Sequence, residues 1–135
     1  MANQKAHGSF QVTGWDEAPF ATLPSGGKLT KASVTGTFTG ELDGDATIEW
    51  LMAYADDEHA TFVGVQRVVG QVDDRSGDFT VSMTGTFEQG VARAAWTVVP
   101  GTASGDLSGL TGEGEFEAPA GGEASATLTY DLASG

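Results

Sequence analysis

Apolar and polar residues alternate along most of this chain. Ala46, Ile48, Trp50, Met52 and Tyr54 share one parity. Phe79, Val81, Met83, Gly85 and Phe87 share another, with Asp78, Thr80, Ser82, Thr84 and Thr86 between them. Ala92, Ala94, Trp96 and Val98 form a third set, and Leu110, Gly112, Gly114 and Phe116 a fourth, opposed by Thr111, Glu113, Glu115 and Glu117. Ala124, Ala126, Leu128, Tyr130 and Leu132 close the pattern. A period of two sends alternate side chains to opposite faces, so each run predicts a half-buried β-strand. Helical spacing is scarce. The best helical candidate, "EWLMAYADDEHA", has Trp, Ile and Tyr in or beside it, which favours a strand.

Turn chemistry falls between the runs. "ELDGDA" carries Asp43-Gly44, a tight-hairpin pair. "ADDEH", "DDRSGD" and "EQG" read as turns, "PGTASGD" and "PAGGE" as loops. "DEAPFATLPSGGK", from Asp16 to Lys28, holds two prolines and a glycine pair, and predicts the longest irregular stretch, a candidate rim loop or lid. The result is about eight strands in an unbroken antiparallel series, an all-β chain whose edges vanish if the sheet closes. We therefore expect a closed antiparallel eight-stranded β-barrel, lipocalin-like in shape. The chain has 135 residues, and residues 1–135 are expected to form a single domain.

Two near-identical stretches, "SVTGTF" at Ser33–Phe38 and "SMTGTF" at Ser82–Phe87, fit that scheme. In each, Gly and Phe share one parity and the threonines the other. A turn follows, then a strand bearing a tryptophan, Trp50 or Trp96. They read as two hairpins of one sheet, with Gly relieving crowding and Phe filling the core. Neither half has enough strands to close alone, so a two-domain duplication does not fit.

Charge narrows the partners. There are 19 acidic against 6 basic residues, a net charge of −13. Lys5, Lys28, Lys31, Arg67, Arg75 and Arg93 are scattered, so neither nucleic acid nor an anionic membrane is an expected partner. With no Cys, disulfides, thiolate metal sites and Cys nucleophiles are excluded. "MANQKAHGSF" lacks the apolar core of a signal peptide, and no stretch nears the ~20 apolar residues of a span, which predicts a soluble, cytoplasmic protein.

No motif fixes a chemistry. His7 and His59 are the two histidines, without ligand spacing around them, and "DDEH" at Asp56–His59 falls where a turn is expected. "DGD" at Asp43–Asp45 lacks the rest of a calcium loop. No metal and no cofactor is expected. G-x-S-x-G is absent, and no Walker lysine follows "GTASGDLSGLTGEGEF". One polar group stands out: Glu49 in "IEWLMAY", and Gln66 and Arg67 in "TFVGVQRVVG". If these runs pair as a hairpin, Glu49 falls opposite Gln66, or Arg67 after a one-residue slip. Such charges either pair outside the barrel or point into it, where they would orient a ligand. Trp15, Trp50, Trp96 and Tyr54 present the same choice between core and pocket wall, because an eight-stranded barrel is just wide enough to pack solid or hold one small ligand.

"GWDEAPF", "KLTKASVTGTFTGELDGDATIEWLMAY", "TFVGVQRVVG", "VARAAWTVVPGTASGDLSGLTGEGEFEA" and "ATLTYDL" resemble a bacterial family common in actinobacteria and known as a domain of unknown function. The resemblance runs from about Gly8 to Leu132. That family is similar to the allene oxide cyclase-like barrels, "SGDLSGLTGEG" being the segment most like them. The resemblance implies an eight-stranded barrel, homo-oligomerisation and a cavity for a small apolar molecule. Related barrels include cofactor-free cyclases that hold a reactive substrate in a productive shape; no catalytic residue carries over. Two readings stand: a barrel that binds a small apolar molecule, with or without cofactor-free cyclisation or isomerisation, and a non-catalytic carrier or oligomeric scaffold with a packed core. A void of a few hundred Å3 would favour the first.

Overall fold

The alternating runs form strands whose apolar residues all point the same way. The computed structural model describes residues 4–56, 58–118 and 124–132. Among these are β1 (Gln4–Thr22), β2 (Lys28–Gly40), β3 (Leu42–Asp56), β4 (His59–Val72), β5 (Arg75–Glu88), β6 (Val91–Val98), β7 (Ser104–Gly105), β8 (Leu110–Ala118) and β9 (Ala124–Leu132). All pairings are antiparallel. β1 to β6 pair in sequence order, β6 pairs with β8, β8 with β9, and β9 returns to β1. Eight strands thus form a ring, and β7 is a two-residue bridge added to β5. Among the described residues no helix is long and apolar enough to cross a membrane.

The ring differs along its axis. At the end bearing the β2–β3 and β4–β5 turns it is packed solid. Leu42, Val72, Phe79, Leu107, Leu110 and Leu128 are all buried there. The Tyr130 hydroxyl donates to the Asp73 carboxylate in the β4–β5 turn, tying β9 across that end. Midway, Phe38 packs against Phe10 and Trp96, with ring centres 4.7 and 6.1 Å apart. The Trp96 indole N–H donates to the Thr127 carbonyl oxygen at 2.8 Å, which satisfies the polar atom of a fully buried ring.

Both copies of the repeated stretch open hairpins, β2–β3 and β5–β6. A Cβ at Gly36 would overlap the Phe10 ring, and one at Gly85 the Phe62 ring, so each Gly makes room for an aromatic neighbour. The two phenylalanines differ. Phe38 is fully buried, whereas Phe87 is half-buried at the other end of the ring.

Three expectations need correction. Asp43-Gly44 is not the hairpin turn. The chain reverses at Gly40–Glu41, with Gly40 at φ 129°, and Asp43 and Gly44 pair inside β3. Asp16–Lys28 is not a long irregular loop. β1 runs on to Thr22, leaving Leu23–Gly27 as the turn, because the Pro19 ring needs only an edge without a partner. Glu49 faces neither Gln66 nor Arg67 but Val65. Asp56 pairs with His59 as turn spacing implies, but an extra residue at Ala55 shifts every later pair by one. The "PAGGE" loop and Asp57 of "ADDEH" lie outside the described residues.

Candidate functional site

At the end of the ring opposite the solid half, the inner face encloses a cavity of about 350 Å3. Phe10 and Phe116, edge to face at 5.6 Å, lie on its inner side. Trp50 and Phe62, edge to face at 4.6 Å, form one wall with Val34, Ile48 and Met52. Phe87, Ala92, Ala118 and Ala124 form the other, where small alanines leave the space that larger residues fill at the far end. Val12 and Trp15, each about half exposed, mark the mouth.

The mouth exists because of how β1 is built. β9 pairs with β1 only as far as Phe10, so from Gln11 onward β1 has β2 on one side and no strand on the other among the described residues. The second half of β1 is therefore an edge on the sheet that β2, β3 and β4 continue. A bulge at Thr13 inverts the parity of β1. Trp15 then falls opposite the inward Val34, and Glu17 opposite the inward Ala32. Without that extra residue Asp16 would face inward instead.

Glu17 is the acceptor of a small polar cluster at this edge. Thr30, itself buried, donates its hydroxyl to Glu17 Oε2 at 2.6 Å. Tyr54 donates to the same oxygen at 2.7 Å, and the Trp15 indole N–H to Oε1 at 3.1 Å. Three strands are thus joined through one carboxylate. Lys28 Nζ lies 4.9 Å above the Tyr54 ring. Partial burial pushes the Glu17 carboxyl up, but the bonds from Thr30, Tyr54 and Trp15 and the charge of Lys28 outweigh it, holding the group below the usual carboxylate range. Burial, reinforced by the neighbouring carboxylate, pushes the Tyr54 phenol up to about 12. Glu17 therefore stays ionised and Tyr54 protonated at neutral pH.

The sequence candidates separate accordingly. Trp15, Trp50 and Tyr54 line the cavity. Trp96 belongs to the packed core, and Gln66 is buried, its side-chain amide donating to Met83 Sδ at 3.7 Å. Glu49 and Arg67 stand on the outer face. Glu49 accepts from Ser33 at 2.8 Å with Lys31 at 3.9 Å, and Arg67 Nε donates to Asp78 at 3.0 Å. They do not meet each other or the cavity, because the Ala55 bulge puts Val65 opposite Glu49 and leaves Thr47 opposite Arg67. Glu17 and Thr30 were not singled out from the sequence. The available signal was a phase change: Phe10 and Val12 fall on one parity, Trp15 and Glu17 on the other.

A larger hollow, about 790 Å3, is lined mostly by outward-facing residues of β4, β5, β6, β8 and β9, including Thr84, Thr86, Ala95 and Ser125, with Arg93 paired to Glu117 at 2.8 Å beside them. It is a more open hollow on the outer face, with Phe62 and Phe116 at its floor and charged or hydroxyl side chains around it. His59 contacts Asp56 at 2.9 Å in an exposed turn. Among the described residues, no group of three or more His, Cys, Asp or Glu is placed to hold a metal ion.

Residues 6–130 match the model of a protein family described as a protein of unknown function, DUF3224. The structure is similar over 98% of each chain to the crystal structure of a DUF3224-family protein of unknown function from Shewanella oneidensis MR-1, with 27% sequence identity and a TM-score of 0.80. No curated protein matches the chain.

Proposed function

The chain belongs to the DUF3224 family, and since that family carries no function to transfer, we propose from the cavity itself that this protein binds a small, largely apolar molecule inside a closed, allene oxide cyclase-like barrel. The observation that carries the reading is the division of the ring: one half packed solid, the other holding about 350 Å3 walled by Trp15, Trp50, Phe62, Phe87 and Phe116. That volume sits at the low end of ligand pockets and accommodates on the order of ten non-hydrogen atoms at ~30 Å3 each. A purely structural core has no use for it, because an unfilled apolar space forfeits packing contacts.

Binding is favoured over catalysis. A cofactor-independent cyclisation or isomerisation would use the walls as a mould. Yet among the described residues the one titratable side chain lining the cavity is Tyr54, with its phenol pushed up to about 12, poorly matched to proton transfer near neutrality. Saturation-transfer NMR with naphthalene, a rigid apolar molecule of suitable size, tests the reading. Wild type should give a signal and Ala92→Phe, which fills the cavity, should not. Equal signals from both proteins would refute it.

Self-association has its own supporting observation. Leu51 and Val63 are paired across β3 and β4, and with Val65 they present an apolar strip on the outer face, each about half exposed. We read this strip as a contact between copies of the chain. Light scattering should give a mass above the 13.8 kDa monomer that falls to it in Val63→Asp. A monomer in wild type would remove this reading without touching the cavity.

A further inference from the structure

The polar cluster at the mouth restricts what an occupant of the cavity can carry. Resting on the cavity reading above, we propose that the ligand's apolar body ends in a hydrogen-bond donor, an ammonium or a hydroxyl, which sits against Glu17 and Tyr54.

The argument is a count of hydrogens. Trp15 has one N–H and it points at Glu17 Oε1. Thr30 and Tyr54 have one O–H each and both point at Glu17 Oε2. Met52 Sδ also lies 3.8 Å from the Tyr54 hydroxyl, but a thioether is a weak acceptor beside a carboxylate oxygen at 2.7 Å, so the hydrogens of all three side chains go to the carboxylate. What remains on Glu17, Tyr54 and Thr30 is lone pairs. Glu17 Oε1 accepts one bond where it has room for about two. A ligand group arriving here finds acceptors, and only a donor completes them.

Charge points the same way. Glu17 is half-buried at the rim of an apolar cavity and holds a negative charge in place with three donors. The nearest cation is Lys28, exposed, its ammonium resting on the Tyr54 ring. This is the position a ligand ammonium would take, over an aromatic face and beside a carboxylate. The protein thus displays at its own mouth the kind of head group the site accepts. A carboxylate head would face Glu17, in a chain of net charge −13, with Lys28 as the offsetting charge here among the described residues.

The test is calorimetric titration at neutral pH with three molecules sharing one tail: octylammonium, octan-1-ol and octanoate. Octylammonium and octanol should bind, and octanoate should bind about tenfold or more weakly than octylammonium, the scale of one charge-assisted hydrogen bond. Comparing the first two separates the cationic donor from the neutral one. Glu17→Gln should erase the preference for octylammonium over octanoate, since the amide carries no charge. Lys28→Gln, on an exposed side chain, should tighten octylammonium about two- to fivefold by removing its competitor. Octanoate binding as tightly as octylammonium to wild type, and weakening in Lys28→Gln, would make Lys28 the anchor and overturn the proposal while the cavity reading stands. If naphthalene and all three octyl compounds fail to bind wild type, both readings fall together.

Discussion

Tyr54 on β3 donates its phenolic hydrogen to Glu17 Oε2 on β1 at 2.7 Å, reaching across the whole of β2. Neighbouring strands already share backbone hydrogen bonds, so this contact adds little to the pairing. It links strands that are not adjacent, and it sets the positions of Trp15 and Tyr54, two walls of the cavity. The wall needs such a tie because the second half of β1 has no partner on its other side among the described residues. Removing the hydroxyl in Tyr54→Phe keeps the ring and loses the tie. Apolar ligands should then bind more weakly, with the Trp15 fluorescence shifted towards that of a solvated indole. An unchanged spectrum and affinity would show that the wall stands without it.

The same contact sets an alkaline limit. Tyr54 and Tyr130 are each pushed up to about 12, Tyr54 by burial and Glu17, Tyr130 by burial and Asp73. An unfolded tyrosine ionises near ~10, so above that pH the unfolded chain releases protons that the folded chain retains. Stability is therefore fully present below pH ~10 and declines as pH rises towards 12. Ultraviolet titration should find no phenolate in the folded protein near pH 10, and Tyr54→Phe should reduce the pH dependence of unfolding in that window. Phenolate appearing at the ordinary value while the protein is still folded would contradict the geometry at both residues.

The repeated stretch gives an asymmetric pair of variants. Phe38 is fully buried between Phe10 and Trp96, and Phe38→Ala should cost roughly 3–5 kcal/mol. Phe87 is half-buried at the cavity, so Phe87→Ala should cost clearly less in chemical denaturation and affect ligand affinity instead. Equal losses in the two variants would mean that the mouth is as tightly packed as the middle.

Gly114 sits under Trp96. A Cβ there would overlap both the Trp96 indole nitrogen and the Thr127 carbonyl oxygen, the two atoms joined by the buried hydrogen bond. Gly114→Ala should destabilise by about 1–3 kcal/mol or more, because a carbonyl in a paired strand cannot move aside as a flexible side chain can. Unfolding curves that superimpose on wild type would disprove the contact.

Arg67 offers a negative control. It lies on the outer face, paired with Asp78, so Arg67→Met should leave ligand affinity unchanged. Altered affinity would place this residue nearer the cavity than the register allows.

The fold was legible because alternation is strict: residues such as Ile48, Trp50, Phe79, Val81, Trp96 and Leu128 all face inward as their parity implies. Eight paired strands and two TGTF hairpins follow from that pattern and from turn spacing. What stayed hidden was the bulges. Single extra residues at Thr13 and Ala55 carry no marking in composition, yet one turns Glu17 inward and the other moves Glu49 away from Gln66 and Arg67. The cavity was hidden for a different reason. Parity gives direction but not depth, so Trp50 and Trp96, alike in pattern, lie respectively on the wall of a hollow and within a packed core.

Those two tryptophans, with Trp15, supply the most direct test of the cavity. The protein has three indole N–H groups. Trp15 and Trp50 line the cavity, and Trp96 is buried outside it with its N–H held by Thr127. In a 15N-labelled sample titrated with naphthalene, the Trp15 and Trp50 indole signals should shift together along one saturable curve while the Trp96 signal stays in place. If all three stay fixed up to the solubility of the ligand, or if Trp96 is the signal that moves, the cavity is not a binding site.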